Sequence, residues 1–180
     1  MRPQLVLVRG TQGSGKTVLS NRLGLLLGWP VIHREDFRLA VAVTLGAVEL
    51  EPKGIEARQA VGAFFRELGL FIAQRTSIVA DSTFPSGVCE ADLAPLLEVS
   101  DVGAIHCTLS RELAQERCVR RPNSSTLVDV LRGRDESMWQ RFDEPLRCSI
   151  PQRRIDTSDG YKPPVEEMAS WIAGGFRSET

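Results

Sequence analysis

Gly10-Thr11-Gln12-Gly13-Ser14-Gly15-Lys16-Thr17 is the stretch of this sequence that decides its fold. It satisfies the pattern G-x-x-x-x-G-K-[ST], in which glycines allow backbone N–H groups to converge on phosphate oxygens. In this pattern the Lys16 amine reaches the outer phosphates of a nucleotide, and the Thr17 hydroxyl can bind Mg²⁺. All eight residues are therefore predicted to bind nucleotide.

The sequence on either side of the loop favours the same interpretation. Gln4 to Arg9 is an aliphatic run typical of a buried strand, and apolar residues recur at helical spacing from Val18 to Leu26. A helix from about Gly15 to Leu27 would point its positive end at the same anion. Strand, turn and helix together form the context that this motif requires.

The composition indicates one globular domain of 180 residues, with 42% apolar and 25% charged residues. A net charge of −1 argues against avid, nonspecific nucleic-acid binding. The four cysteines form no C-x-x-C pair, which is typical of reduced thiols in a cytoplasmic protein. We expect no signal peptide, and the longest apolar stretch, Leu39 to Val48, is too short to span a membrane.

Alternating apolar patterns predict an α/β fold with a five-stranded, mostly parallel sheet and helices on both faces. The further strands are expected at 30–33, 77–81, 102–109 and 154–158, and the further helices at 55–75, 88–97, 111–121, 126–142 and 165–172. The stretch 39–50 fits either a helix or a mobile flap, and a turn is expected at 51–54. His106 lies inside an apolar strand and is interpreted as a packed, hydrogen-bonded residue.

Two acidic segments follow predicted strands, where open α/β sheets bind ligands. Asp81 ends the third strand and can hold Mg²⁺, directly or through water, or orient an acceptor hydroxyl. A simpler alternative is a carboxylate bonded to a nearby turn. Arg34 to Arg38 places four charges around Phe37, and its alternative interpretation is a solvated turn with Asp36 as a helix N-cap.

Ten arginines and no lysine occur between Arg111 and Arg154, a composition suited to phosphate contact. Arg117 and Arg121 share a helix face, so a helical lid over approximately 111–147 could bring them to a nucleotide. For most of the ten, pairing with nearby acids on a surface helix is the preferred interpretation. For Arg117 and Arg121 a functional role is preferred.

Together these motifs resemble the small P-loop kinases of the polynucleotide-kinase-like, zeta-toxin-like and chloramphenicol-phosphotransferase-like group, often described as AAA-type ATP-binding proteins. The resemblance covers nearly the whole chain and implies a P-loop NTPase three-layer sandwich with a helical lid. It rests on Gly10 to Thr17, on His33-Arg34-Glu35-Asp36-Phe37-Arg38, on Asp81-Ser82-Thr83 and on the helix that carries Arg117 and Arg121.

The resemblance also implies roles for individual residues. The first acid after the second strand, Glu35, stands where the family usually has an aspartate that acts as general base, and Asp36 is the adjacent alternative. Arg38 corresponds to an arginine that binds acceptor phosphate. Asp156-Thr157-Ser158 is similar to the segment that lies near the adenine.

These inferences predict a kinase that uses ATP and Mg²⁺, with a hydroxyl-bearing acceptor that is a small molecule or nucleotide. Lys16, Arg117 and Arg121 would stabilise the transferred phosphoryl group, and Thr17 and Asp81 would hold the metal. Two alternatives stay open: a nucleic-acid 5′-hydroxyl kinase, and a non-catalytic nucleotide-binding or ATPase switch module.

Overall fold

A central parallel sheet organises the chain, whose computed structural model describes residues 2–46, 54–120 and 136–177. Its strands are β1 Gln4–Arg9, β2 Val31–His33, β3 Ile78–Asp81, β4 Asp101–Thr108 and β5 Gln152–Asp156. They lie in the order β2-β3-β1-β4-β5, and every pairing between them is parallel. The predicted five-stranded α/β sheet is therefore confirmed.

Helices cover both faces of this sheet. In the described ranges they are α1 Lys16–Leu27, α2 Arg34–Thr44, α3 Ile55–Ala73, α4 Glu90–Val99, α5 Arg111–Val119, α6 Glu136–Asp143 and α7 Val165–Ala173. None of the helices in these ranges combines the length and apolar content that crossing a bilayer requires.

The core divides into two apolar layers because alternate side chains of a strand point to opposite faces. Leu5 and Leu7 of β1 pack in the layer that contains residues of α3 and α4. Val6 and Val8 pack in the layer that contains residues of α1 and α7. β1 is buried on both faces, as expected for a central strand of a parallel sheet, and it leads directly into the glycine-rich loop.

Left-handed glycines mark both ends of α1. Gly15 has φ 80° just before the helix, and Gly28 has φ 68° just after it and donates its backbone N–H to Gly24 O. Residues with a Cβ disfavour this region of backbone space, so glycine sets the boundaries at low cost. The predicted helix end near Gly28 is confirmed.

Two local predictions differ from the structure, and one open alternative is decided in part. Helix α2 begins at Arg34, directly after β2, so Asp36 lies in its first turn and is not the N-cap. Residues 39–44 continue this helix, so the helix expectation is confirmed for this part of the stretch 39–50. Strand β5 runs from Gln152 to Asp156, two residues before the predicted span. Residues 47–53 and 121–135, including the predicted turn and Arg121, lie outside the described ranges.

Candidate functional site

The carboxyl ends of three neighbouring strands meet at the glycine-rich loop. Asp81, the last residue of β3, is in register with Val8 of β1 on one side and with His33 of β2 on the other. Since β1 leads directly into residues 10–17, this register sets Asp81 beside the loop. Ligands of open parallel sheets bind at this edge.

Backbone contacts hold the loop against β4 and α5. Gly10 has φ 139°, and a Cβ on it would lie 2.5 Å from the carbonyl oxygen of Cys107. Gly13 has φ 79°, and a Cβ there would clash with the backbone of Ala114. Cys107 is buried behind the loop, and its burial raises the pKa of the thiol to about 12. Both glycines are therefore required by close approach as well as by φ.

The open side of the loop has the features of an anion cradle. A Cβ built on Gly15 meets no atom within 4 Å, and α1 starts there without a side-chain cap on its first N–H groups. The hydroxyl of Ser14 is buried and has no hydrogen-bond partner among the described residues. Lys16 Nζ donates to Thr11 O at 2.7 Å. Phosphate oxygens would supply acceptors for the Ser14 hydroxyl and for the helix N–H groups.

The two residues predicted to hold metal are in direct contact. Thr17 Oγ1 donates to Asp81 Oδ2 at 2.7 Å. In the ranges 2–46, 54–120 and 136–177, no group of three or more histidines, cysteines or acids is arranged to hold a metal ion. One hydroxyl and one carboxylate, completed by water and phosphate oxygens, is a donor set typical of Mg²⁺. The residues therefore fit a Mg²⁺ ion that binds together with a nucleotide.

Asp81 keeps its charge although it is 6% exposed. Burial acts to raise its pKa, but hydrogen bonds from His33 and Thr17 and the nearby charge of Lys16 outweigh burial and hold the pKa below its ordinary value. A buried carboxylate that stays ionised is a suitable ligand for a hard cation.

His33 is a member of the site to which the sequence motif assigned no role. Its Nδ1 lies 2.9 Å from Asp81 Oδ2, and its Nε2 lies 3.0 Å from Asn21 Oδ1 on α1. The hydrogen bond to Asp81 is the main reason that the pKa of His33 is raised. The signal for this residue is its position at the end of β2, but only the strand register shows that it meets Asp81.

The two predicted base residues lie in the first turn of α2, next to His33. Glu35 Oε1 accepts a hydrogen bond from Arg38 Nε at 3.0 Å, and the Glu35 side chain is 67% exposed whereas that of Arg38 is 16% exposed. Asp36 is also exposed, and its charge contributes to the raised pKa of His33. The structure thus pairs Glu35 with the predicted acceptor-binding Arg38 and places Asp36 near the Asp81–His33 pair.

Arg117 of α5 contacts residues 156–158, the segment for which the family resemblance implies a position near adenine. Its Nη2 donates to Thr157 O at 2.8 Å and to Ser158 O at 3.0 Å. Asp156 Oδ1 accepts from Ser158 N at 2.8 Å, and Thr157 is buried with its hydroxyl donating to Thr108 O. Arg117 is therefore attached to this segment, and Arg121 lies outside the described ranges.

Arg9 is a second residue whose role sequence reasoning missed. It ends β1, immediately before the loop, and is fully buried. Its guanidinium donates to Phe84 O at 3.3 Å, to Phe142 O at 3.1 Å and to Glu144 O at 2.7 Å. Burial lowers the pKa of Arg9, with partial compensation from nearby acidic groups. This side chain fastens the carboxyl end of α6 to the strand that carries the loop.

His106 is in register with Arg9 and is also buried. Burial lowers its pKa to about 3, although a hydrogen bond to the Phe142 backbone acts in the opposite direction. The expectation of a packed, hydrogen-bonded histidine is confirmed.

A family profile described as an AAA domain matches residues 5–145, which include the loop, Asp81 and Arg117. The chain belongs to this AAA domain family. No curated protein matches the sequence of this family member.

Solved structures similar to this AAA domain are P-loop kinases, which confirms the resemblance seen in the sequence. A protein of Chloroflexus aurantiacus j-10-fl described as a "putative kinase" is 19% identical, with a TM-score of 0.80 over 98% of this chain and 100% of that chain. The APS kinase CysC of Mycobacterium tuberculosis, in complex with AMPPNP and APS, is 13% identical, with a TM-score of 0.67 over 98% and 99% of the two chains.

A third similar structure belongs to the Pnkp1/Rnl/Hen1 RNA repair complex. It is 19% identical and has a TM-score of 0.58, covering 77% of this chain and 44% of that chain. At these identities the three likenesses establish a shared fold: the P-loop kinase arrangement of a parallel sheet between helices.

Proposed function

We propose that the protein is an ATP- and Mg²⁺-dependent phosphotransferase that moves the γ-phosphate of ATP to a hydroxyl group of a small-molecule or nucleotide-type acceptor. The observation that carries this proposal is the 2.7 Å contact between Thr17 Oγ1 and Asp81 Oδ2, directly beside the glycine-rich loop. This contact supports the proposal because it joins a hydroxyl of α1 to a carboxylate beside the loop, where the outer phosphates of a nucleotide are expected to bind.

Each part of the site has a role in this reaction. Backbone N–H groups of the loop and the amine of Lys16 would hold the phosphates. Mg²⁺, held by Thr17 and Asp81, would supply positive charge to the β- and γ-phosphate oxygens. Arg117 and Arg121 are proposed to stabilise the charge that builds on the transferred group.

The acceptor is proposed to bind at the α2 edge of the site. Glu35 or Asp36 accepts the proton of the acceptor hydroxyl while its oxygen forms a bond to the γ-phosphorus and the bond to the leaving ADP oxygen breaks. Arg38 would then hold an anionic group of the acceptor. Its hydrogen bond with Glu35 keeps the guanidinium of Arg38 and a predicted base within one turn of helix.

Replacement of Lys16 tests the proposal. Lys16→Ala should lower the rate of phosphoryl transfer by at least about 100-fold, the usual effect of removing one charge-stabilising donor, while circular dichroism and thermal unfolding stay unchanged. The matched control is Arg75→Asn, which removes a cation just before β3 begins, at the end of the sheet opposite the glycine-rich loop. Asn tolerates the positive φ of 59° found there. A Lys16→Ala protein that transfers phosphate at the wild-type rate would refute this mechanism.

An acceptor panel distinguishes the other two functions. Transfer of radiolabelled γ-phosphate would be measured with sugars, nucleosides and 5′-hydroxyl oligonucleotides as acceptors. Transfer to oligonucleotides alone, with retention on single-stranded DNA at low salt, would indicate a nucleic-acid kinase. Binding of ATP without transfer to any acceptor would indicate a nucleotide-binding switch module.

A further inference from the structure

The His33 imidazole is held at both ring nitrogens between α1 and β3. Nδ1 lies 2.9 Å from Asp81 Oδ2, and Nε2 lies 3.0 Å from Asn21 Oδ1. Because an ionised carboxylate only accepts hydrogen bonds, Nδ1 is the donor to Asp81. A ring fixed at both ends has a single orientation, so His33 presents a fixed donor to the carboxylate.

The same network includes the other predicted metal ligand. Thr17 and Asn21 are four residues apart on α1 and therefore lie on one face of that helix. Thr17 contacts Asp81 directly, and Asn21 contacts it through His33. Three elements, α1, β2 and β3, thus fix the position of one carboxylate through consecutive hydrogen bonds.

Both hydrogen bonds to Asp81 end on the same atom. Oδ2 accepts from Thr17 at 2.7 Å and from His33 at 2.9 Å. A Mg²⁺ ion at this site would bind a lone pair of the Thr17 oxygen, and the hydroxyl proton could still be donated to Asp81. His33 would hold the carboxylate from its other side, because its ring nitrogen is not one of the predicted metal ligands.

We propose that His33 is a positioning residue that holds the Asp81 carboxylate in place for Mg²⁺, and that Asn21 in turn orients His33. This inference rests on the proposed function, because it concerns the metal that accompanies the nucleotide. Hydrogen-bond partners of metal-ligating carboxylates contribute about 10- to 100-fold to metal affinity. The contribution of His33 is to Mg²⁺ binding and not to the grip of the loop on phosphate.

This role can be tested by measuring nucleotide binding with and without Mg²⁺. The affinity for AMPPNP would be measured by calorimetry in EDTA and at stepped MgCl₂ concentrations. His33→Phe keeps a ring of similar size and loses both ring nitrogens. We expect the MgCl₂ concentration for half of the affinity gain to rise about 10- to 100-fold, with affinity in EDTA within about twofold of wild type.

Three further variants separate positioning from packing. His33→Gln keeps a donor that can reach Asp81, so it should recover part of the Mg²⁺ response. Asn21→Ala should shift the Mg²⁺ response in the same direction as His33→Phe, by a smaller factor. Because Asn21 is exposed, this variant can test the inference even if His33→Phe fails to fold. His106→Gln changes the other histidine of the sequence, which contacts neither Thr17 nor Asp81, and should leave the Mg²⁺ response unchanged.

The outcomes distinguish this inference from the proposed function. Equal loss of AMPPNP affinity with and without MgCl₂ in the His33 variants would show a general structural role and overturn the inference. An unchanged Mg²⁺ response in His33→Phe and Asn21→Ala would also overturn it, while a wild-type protein with Mg²⁺-enhanced binding would leave the proposed function standing. A wild-type protein whose binding of AMPPNP does not respond to Mg²⁺ would overturn both.

Discussion

At the scale of single residues, Arg9 is the largest fully buried side chain of the described structure. Burying a guanidinium is costly unless its donors are paired. Here the acceptors are backbone carbonyls near the carboxyl end of α6, where the helix dipole favours a positive charge. Nη1 has no hydrogen-bond partner among the described residues. Arg9 therefore stabilises the molecule by joining the end of β1 to several backbone carbonyls, two of them at the carboxyl end of α6.

Arg9→Met should lower the free energy of unfolding by at least about 2 kcal/mol, because several carbonyls lose a charged donor together. Arg9→Lys should lose less, since it keeps the charge and one donor group. Urea unfolding provides the measurement. Arg2→Met is the matched control: Arg2 also donates to three carbonyls, at the end of α4, but its side chain is half exposed. Equal losses in the two Met variants would contradict the role of burial.

The residues of the nucleotide loop could be predicted from the sequence because their chemistry is local. Glycine conformation, Lys16 and Thr17 are encoded within eight consecutive residues, and the contact of Thr17 with Asp81 follows once Asp81 ends the neighbouring strand. The roles of Arg9 and His33 could not be predicted in this way. Their partners are distant in sequence. The pairing of β2 with β3 brings His33 to Asp81, and the path of the chain after α6 brings Glu144 to Arg9.

At the scale of secondary-structure elements, the segment after α7 packs back onto β4. Phe176 is 5% exposed and its ring lies against Trp171 with centroids 5.2 Å apart. The same ring occupies the space above Gly103, where a Cβ would clash with it. Glycine in the middle of β4 is therefore explained by the close approach of an aromatic ring.

Gly103→Ala should destabilise the protein by about 1–3 kcal/mol through overpacking. Gly69→Ala is the control, because a Cβ at that helical position meets its nearest atom, Leu96 Cδ2, at 3.9 Å. The control should be neutral or more stable by about 0.5–1 kcal/mol. Thermal and urea unfolding provide the values. Adding Phe176→Ala to Gly103→Ala should cost less than Phe176→Ala alone, and full additivity would contradict the clash.

Predicted boundaries were accurate where a residue has a strong local preference and shifted elsewhere. Gly28 ends α1 as expected, since its positive φ is a local property. The alternative N-cap at Asp36 was wrong by three residues, because His33 is the N-cap and the chain enters α2 directly from β2. The start of β5 also differs from the predicted one. Gln152 belongs to the strand because it pairs with Ala104 of β4, and the sequence around Gln152 does not reveal this pairing.

At the scale of the whole molecule, the two histidines have opposite effects on stability as the pH changes. The folded-state pKa of His106 is about 3, below its ordinary value of 6.5. Between these values the unfolded chain binds a proton that the folded protein does not, so His106 lowers stability as the pH falls below 6.5. The raised pKa of His33 contributes stability below pH 6.5 that is lost as the pH rises through its folded-state pKa.

Replacement of His106 isolates its contribution. His106→Gln should flatten the fall in unfolding free energy between pH 6.5 and 4.5 by up to about 1.4 kcal/mol per pH unit, the value for one proton. Urea unfolding at half-unit steps of pH measures the slope. This pH range lies above the pH at which protonation of Asp81, whose pKa is lowered, would reduce the stability of the protein. An identical slope in the variant and the wild type would contradict a buried neutral imidazole.

Cys107, directly behind Gly10, has a consequence for inhibitor chemistry. Only the thiolate attacks electrophiles, and a buried thiol with a pKa of about 12 stays protonated at neutral pH. An acrylamide group on a compound that binds the loop would therefore find no reactive thiol at Cys107. Lys16 lies in the loop itself, so its amine is the group to which aldehyde or sulfonyl fluoride compounds would be directed.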